Sequence, residues 1–120
     1  MPCSVIVGAF WGDEGKGKII SYLALKDNLD FCVRTGSVNA AHTVWYEGKK
    51  YALHMVPAAF INSKTRLLIA AGANVDVKTF FNEVELTQVD PKRIGVDLNA
   101  SIIEAKHGEQ DKASAVNKGI

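Results

Sequence analysis

Cysteine is scarce in this chain. Cys3 and Cys32 stand alone on apolar stretches, which excludes both a disulfide scaffold and a cysteine-ligated metal site. Both thiols are expected to be buried. Neither sign of charge is in excess, since 14 basic residues face 13 acidic ones and leave a formal net charge of +1. That balance removes any general drive toward nucleic acid or a membrane surface, so phosphate binding has to be local. No segment approaches the roughly 18 apolar residues of a membrane helix, and Met1-Pro2-Cys3-Ser4-Val5 has no basic region leading into a long apolar run. The expected compartment is the cytoplasm. Repeats and low-complexity tracts are missing too. What remains is the composition of an ordinary globular domain of 120 residues, 48% hydrophobic and 22% charged.

Apolar runs and glycine punctuation order the chain. Cys3 to Gly8 is short, apolar and rich in β-branched residues, and reads as a buried strand entering the glycine-rich stretch Gly12 to Gly17. From Lys18 to Lys26, Ile19, Ile20, Leu23 and Ala24 fall at helical spacing. Asp30 to Arg34 predicts a second buried strand, and Asn39-Ala40-Ala41-His42-Thr43 a polar connection after it. Val44 to Tyr46 and Tyr51 to His54 flank Glu47-Gly48-Lys49-Lys50, a hairpin turn. Thr65 to Ala70 predicts another strand, and Asp76 caps a helix whose apolar face is Val77, Phe80, Phe81 and Val84. Ile94 to Leu98 and Ser101 to Ala105 are weaker strand candidates, followed by a polar stretch from Lys106. Strands alternating with helices predict an α/β protein, phosphate-loop NTPase-like, with a mostly parallel sheet and one small antiparallel hairpin. Ligands in such sheets bind at the carboxyl ends of the strands, where both polar loops are expected to emerge.

Gly12-Asp13-Glu14-Gly15-Lys16-Gly17-Lys18-Ile19 has the spacing of a phosphate loop, glycine then four residues then Gly-Lys, between a predicted strand and a predicted helix. Glycines let successive N–H groups face one anion, and the helix presents its positive end to the same point. Lys16 and Lys18 add point charges. At Ile19 an ordinary phosphate loop has Ser or Thr on magnesium, and isoleucine cannot ligate a metal. Asp13 is then the nearest hard-oxygen candidate. The glycine order is the reverse of a dinucleotide fingerprint, and no acid stands at a clear second-strand end to take a ribose.

His42, with Asn39 and Thr43, is expected at the same sheet edge as Asp13. A carboxylate and an imidazole facing one substrate can remove a proton at one atom and stabilise charge at another. His54 lies in a predicted strand and is expected to be structural, and His107 to be solvated. Trp11 either covers a ligand or packs under the loop. Trp45, Tyr46 and Tyr51 are expected as cross-strand pairs, with Lys49-Lys50 an exposed turn.

The run Trp11 to Lys18, followed by Asn39-Ala40-Ala41-His42-Thr43 and Leu53-His54-Met55-Val56-Pro57, closely resembles the adenylosuccinate synthetase family, in the style of its shorter archaeal-like members. The likeness continues through Ala71-Gly72-Ala73 and from Asp90-Pro91 to Ser101-Ile102-Ile103. It implies a ligase that transfers the γ-phosphate of GTP to the 6-oxygen of inosine monophosphate (IMP), after which L-aspartate displaces that phosphate. By this resemblance Asp13 takes the purine proton and binds Mg2+, and His42 acts as acid toward the phosphoryl group and 6-oxygen. Gly12, Asp13, Glu14, Gly15, Lys16, Gly17 and Lys18 cradle the GTP phosphates, Lys16 nearest the transferred group. Asn39, Ala40, Ala41, His42 and Thr43 line the nucleotide site, with Asn39 on IMP. The family usually has glycine at position 41, where a backbone carbonyl meets magnesium; Ala41 keeps the carbonyl, but its methyl disfavours a positive φ.

The resemblance also implies a homodimer, with no nucleic-acid or membrane partner. Family members are much longer, so residues 1–120 are expected to be the amino-terminal GTP/IMP-binding part of a larger single catalytic domain, unable to catalyse alone. The alternative is a non-catalytic nucleotide-binding module, which would bind GTP with magnesium as 120 residues. A generic phosphate-loop ATPase or kinase is disfavoured by Ile19.

Overall fold

The computed structural model describes residues 2–12, 14–104 and 106–107. Strand β1 (Phe31–Arg34), β4 (Arg66–Ile69) and β6 (Ile94–Val96) form a parallel sheet in the order β1-β4-β6, with Phe31 opposite Arg66 and Leu67 opposite Ile94. Between β1 and β4 the chain makes an antiparallel hairpin, β2 (His42–Tyr46) and β3 (Lys49–Leu53), with Val44 opposite Tyr51. A second parallel pair, β5 (Asn74–Val75) with β7 (Ser101–Ile102), lies beyond the carboxyl ends of β4 and β6. The α/β class with a parallel sheet and a hairpin is as the sequence implied.

Helix α1 (Lys16–Lys26) starts at Gly15, whose φ of 82° only glycine adopts without strain. Its buried stripe is Gly17, Ser21 and Ala24, small residues that let it lie close on β2 and on the 3-10 turn Ala58–Ile61. Ile20 packs at the margin of the core, whereas Ile19, from the predicted apolar set, is exposed. The hairpin turn is Glu47-Gly48, both at positive φ, as a two-residue hairpin of matching twist requires. Lys49 and Lys50 therefore belong to β3 and not to the turn. The aromatics pair across the hairpin as expected, though not with one another: Tyr51 faces Val44, Trp45 faces Lys50 and Tyr46 faces Lys49, and Tyr51 also packs edge-on against Phe60.

Helix α2 (Val77–Thr87) is capped as expected, Asp76 Oδ1 accepting from the Thr79 N–H at 2.7 Å. Its inner face keeps Phe80 and Val84 of the predicted set, both packed against the core. Phe81 and Val77 are exposed, and the residue buried is Glu83. The segment after β3, from Met55 to Phe60, is buried without ladder partners, so its N–H groups need another acceptor. Glu83 supplies one.

Cys3 to Gly8 is not a buried strand in this structure. Residues 2–9 have no regular structure, and Val5 and Val7 are 79% and 77% exposed. A β-branched run becomes a strand only beside a neighbour that completes its ladder, and among the described residues no strand pairs with residues 2–9. Cys3 is consequently exposed, while Cys32 is buried as expected. β1 likewise buries one face only, Cys32 and Arg34 inward, Phe31 and Val33 outward. Leu98 is exposed after β6, and the polar stretch from 108 onward lies outside the described residues, as does Ala105.

Candidate functional site

The phosphate loop owes its shape to glycine at two points. Gly12 and Gly15 have φ of 117° and 82°, and Gly15 leaves the first N–H groups of α1 without a side-chain cap. Those N–H groups, with the helix dipole behind them, suit an anion. In this structure an internal carboxylate answers the loop's charge. Glu14 Oε1 accepts from the N–H groups of Phe10 (3.1 Å) and Gly12 (3.3 Å), and Oε2 accepts from Lys16 Nζ at 2.7 Å. Lys16 is the main reason the Glu14 carboxyl falls to a pKa of about 2. A Cβ on Gly8 would come within 2.6 Å of Lys16 Nζ, so that glycine makes room for the pair.

Gly17 joins this loop to the second one. A Cβ there would lie 3.0 Å from His42 Cβ and 3.1 Å from the Thr43 carbonyl oxygen. The first turn of α1 thus rests on the start of β2. Between them is a cavity of about 170 Å³ lined by Glu14, Gly15, Lys16, Gly17, Ala41, His42 and Thr43. Half-buried His42 is driven to a pKa of about 4, first by burial and then by the positive charges of Arg34 and Lys16. It is a neutral imidazole at physiological pH. Because the unfolded ring protonates near 6.5, acidification from there toward 4 favours the unfolded chain, and this contribution to stability is complete only above that window.

Other sequence candidates lie beside the cavity, outside its lining. Gly12 is exposed, and so is Lys18 on α1; Asn39 and Ala40 occupy the exposed turn before β2. Asp13 lies outside the described residues. Ala41 is not among the described non-glycine residues at positive φ, which are Asn28, Glu47 and Gln88, so its methyl group meets no such strain here. Trp11 is fully exposed and does not pack under the loop. His54 is structural: its Nδ1 donates to the Val38 carbonyl at 2.6 Å. His107 accepts only a local bond from the Glu104 N–H.

Two buried charged residues were not singled out in the sequence. Arg34, at the carboxyl end of β1, is 7% exposed, and its Nη2 donates to the Ala40 carbonyl at 2.7 Å. Glu83 is 5% exposed and takes the N–H groups of His54, Met55 and Val56 at 2.6, 2.8 and 2.8 Å. A charged residue between apolar neighbours, Arg34 after Cys32-Val33 and Glu83 between Phe80 and Val84, was the available signal. A larger depression of about 280 Å³ around Phe31, Arg66 and Ile94 sits at the opposite, amino ends of the strands and brings together no comparable loop chemistry.

The family model of adenylosuccinate synthetase matches residues 5–120. The adenylosuccinate synthetases of Thermococcus onnurineus and Methanococcus aeolicus are each 46% identical over 118 residues, which is 96% of this chain and 35% of each relative. The chain therefore spans about 35% of the length of these curated relatives. Among solved structures, the fully ligated adenylosuccinate synthetase of Plasmodium falciparum superposes with a TM-score of 0.80 at 34% identity, covering 92% of this chain and 26% of that one. A cyanophage S-2L succinoaminodeoxyadenylate synthetase, bound to dGMP and dATP as an energy donor, gives 0.74 at 25% identity over 86% of this chain and 30% of that one.

Proposed function

The chain belongs to the adenylosuccinate synthetase family, and on that premise we propose that the polypeptide carrying it ligates L-aspartate to IMP at the expense of GTP. The observation that best supports this is the meeting of the phosphate loop and the His42 loop around one cavity. In this reading the γ-phosphoryl group passes from GTP to the purine 6-oxygen while Asp13 removes the ring proton. The aspartate amino nitrogen then bonds to carbon 6, and inorganic phosphate leaves with the oxygen. Lys16 faces the transferred group and must exchange its Glu14 partner for phosphate oxygens. His42, kept neutral in this structure by burial and then by two nearby cations, stands where an arriving anion would offset those two charges.

Magnesium fits the donor chemistry here: Ala41 lines the cavity and brings a backbone carbonyl, and Asp13 belongs to the loop sequence, both hard oxygens, whereas Glu14 is paired with Lys16. Asp13 and the Ala41 carbonyl would hold the ion, and its chemistry when bound is to neutralise charge on the phosphates. Gly12 to Lys18 would cradle GTP, Asn39 to Thr43 would face IMP, and residues 1–120 would be the amino-terminal part of one larger catalytic domain. A cytoplasmic homodimer completes the reading. Among the described residues no helix is long and apolar enough to cross a membrane.

The test is turnover by the full-length polypeptide. GTP should be consumed only when IMP and aspartate are both present, and Asp13→Asn should cut the rate by at least ~10²-fold. Replacing IMP by dGMP and GTP by dATP tests the chemistry named for the phage relative. GTP hydrolysis that is equally fast without IMP would contradict the proposal.

A further inference from the structure

The turn that carries Asn39 is tied down on both sides of that residue. Before it, the Val38 carbonyl accepts from His54 Nδ1 at 2.6 Å. After it, the Ala40 carbonyl accepts from Arg34 Nη2 at 2.7 Å. Farther upstream, the Gly36 carbonyl accepts from the Asn74 N–H at 3.0 Å. Asn39 itself is exposed, and its carboxamide makes no hydrogen bond among the described residues.

The His54 clamp leads back to a buried carboxylate. Glu83 Oε1 takes the N–H of His54, which sets the backbone from which the imidazole reaches Val38. Burial lowers the proton affinity of the Arg34 guanidinium, and the charge of Glu83 works in the opposite direction. Arg34 Nη1 is buried and has no acceptor among the described residues. The guanidinium is therefore poorly matched to its core surroundings and well matched to one loop carbonyl. A buried cation kept on those terms needs a reason beyond packing, because apolar residues of similar volume stabilise a core at least as well.

We propose that Arg34, His54 and Glu83 form a positioning network that presets the Asn39 turn for a purine nucleoside monophosphate. None of the three touches the reacting atoms. Helix α2 acts through Glu83, the hairpin exit through His54 and the sheet edge through Arg34. The inference rests on the reading above that Asn39 contacts IMP. It predicts that the network serves the monophosphate and leaves the nucleoside triphosphate, held by Gly12 to Lys18, largely unaffected.

A double-mutant cycle on the full-length polypeptide tests it, read by the dissociation constant of IMP, with GTP and magnesium as the internal control. Asn39→Ala alone should weaken IMP binding about tenfold or more, as loss of a specific polar contact does. Arg34→Met should weaken IMP about tenfold and GTP less than about twofold, and should add less than about twofold once Asn39 is already alanine. Arg34→Lys, which can still reach a carbonyl, should recover part of the loss. His54→Phe keeps the ring volume, removes the other clamp, and carries the same cycle should Arg34→Met fail to fold. Losses that add in full on the Asn39→Ala background, or that fall equally on GTP and IMP in folded protein, would overturn the network. Normal IMP binding by Asn39→Ala would instead overturn the assignment of Asn39, and with it the purpose given to the network.

Discussion

The two loops of the cavity are built by opposite means. The Asn39 side is fixed by distant residues: Arg34 and His54 hold the carbonyls of Ala40 and Val38, and Glu83 on α2 holds the His54 backbone. The phosphate-loop side is fixed by near neighbours. Gly12 and Gly15 set its turns through their own φ angles, and Glu14 answers Lys16 and two N–H groups within four residues. Long-range support makes a surface that is ready before a ligand arrives. Local support leaves the anion site filled by its own carboxylate, to be exchanged for phosphate.

The sharpest way to break that contrast is to remove the distant support. Glu83→Leu leaves three N–H groups without their buried charged acceptor, and should cost about 3–5 kcal/mol in urea unfolding. Glu83→Gln, which keeps an acceptor, should cost less. A loss below about 1 kcal/mol for the leucine variant would mean that the network is not needed to hold the fold.

The junction between the loops should respond next. Gly17→Val places a side chain against His42 and Thr43 and should cost about 1–3 kcal/mol, while weakening nucleotide binding as α1 moves off β2. Gly15→Ala meets open space but must keep a positive φ, and should cost only about 1 kcal/mol by the same assay. Reversal of that order would place the strain in the turn and not in the close approach.

Thiol labelling involves the smallest energies and compares the two ends of the same contrast. In native protein Cys3 should react at least about 100-fold faster than Cys32, which is buried and whose thiol is pushed to a higher pKa by that burial. Equal protection of Cys3 would show that the amino-terminal run is covered after all.

How much of this the sequence disclosed follows the same division. Features that depend on neighbouring residues were legible: the glycine loop entering α1, the Asp76 cap, the Glu47-Gly48 turn and the alternation of strands and helices. The meeting of the His42 loop with the phosphate loop was expected from strand order, but the first strand of that order does not form, and α1 lying on β2 brings the two together. Features that depend on tertiary partners were not legible. Cys3 to Gly8 has strand composition, yet composition does not disclose which edge is available to pair with it. Glu83 hid inside an apolar helical face because its value lies in the unpaired N–H groups of Met55 and Val56, far away in sequence. Arg34 looked like the polar end of a strand because a carbonyl six residues on is invisible until the turn is folded.

The central claim is that one phosphate-bearing ligand meets both loops at once. The most direct measurement is the NMR signal of the His42 ring in the full-length polypeptide as a non-hydrolysable GTP analogue with magnesium is added, in wild type and in Lys16→Ala. A saturable shift of that ring in wild type, lost or greatly weakened in Lys16→Ala, is the predicted result. Saturable, Lys16-dependent nucleotide binding that leaves the His42 signal unmoved would contradict it.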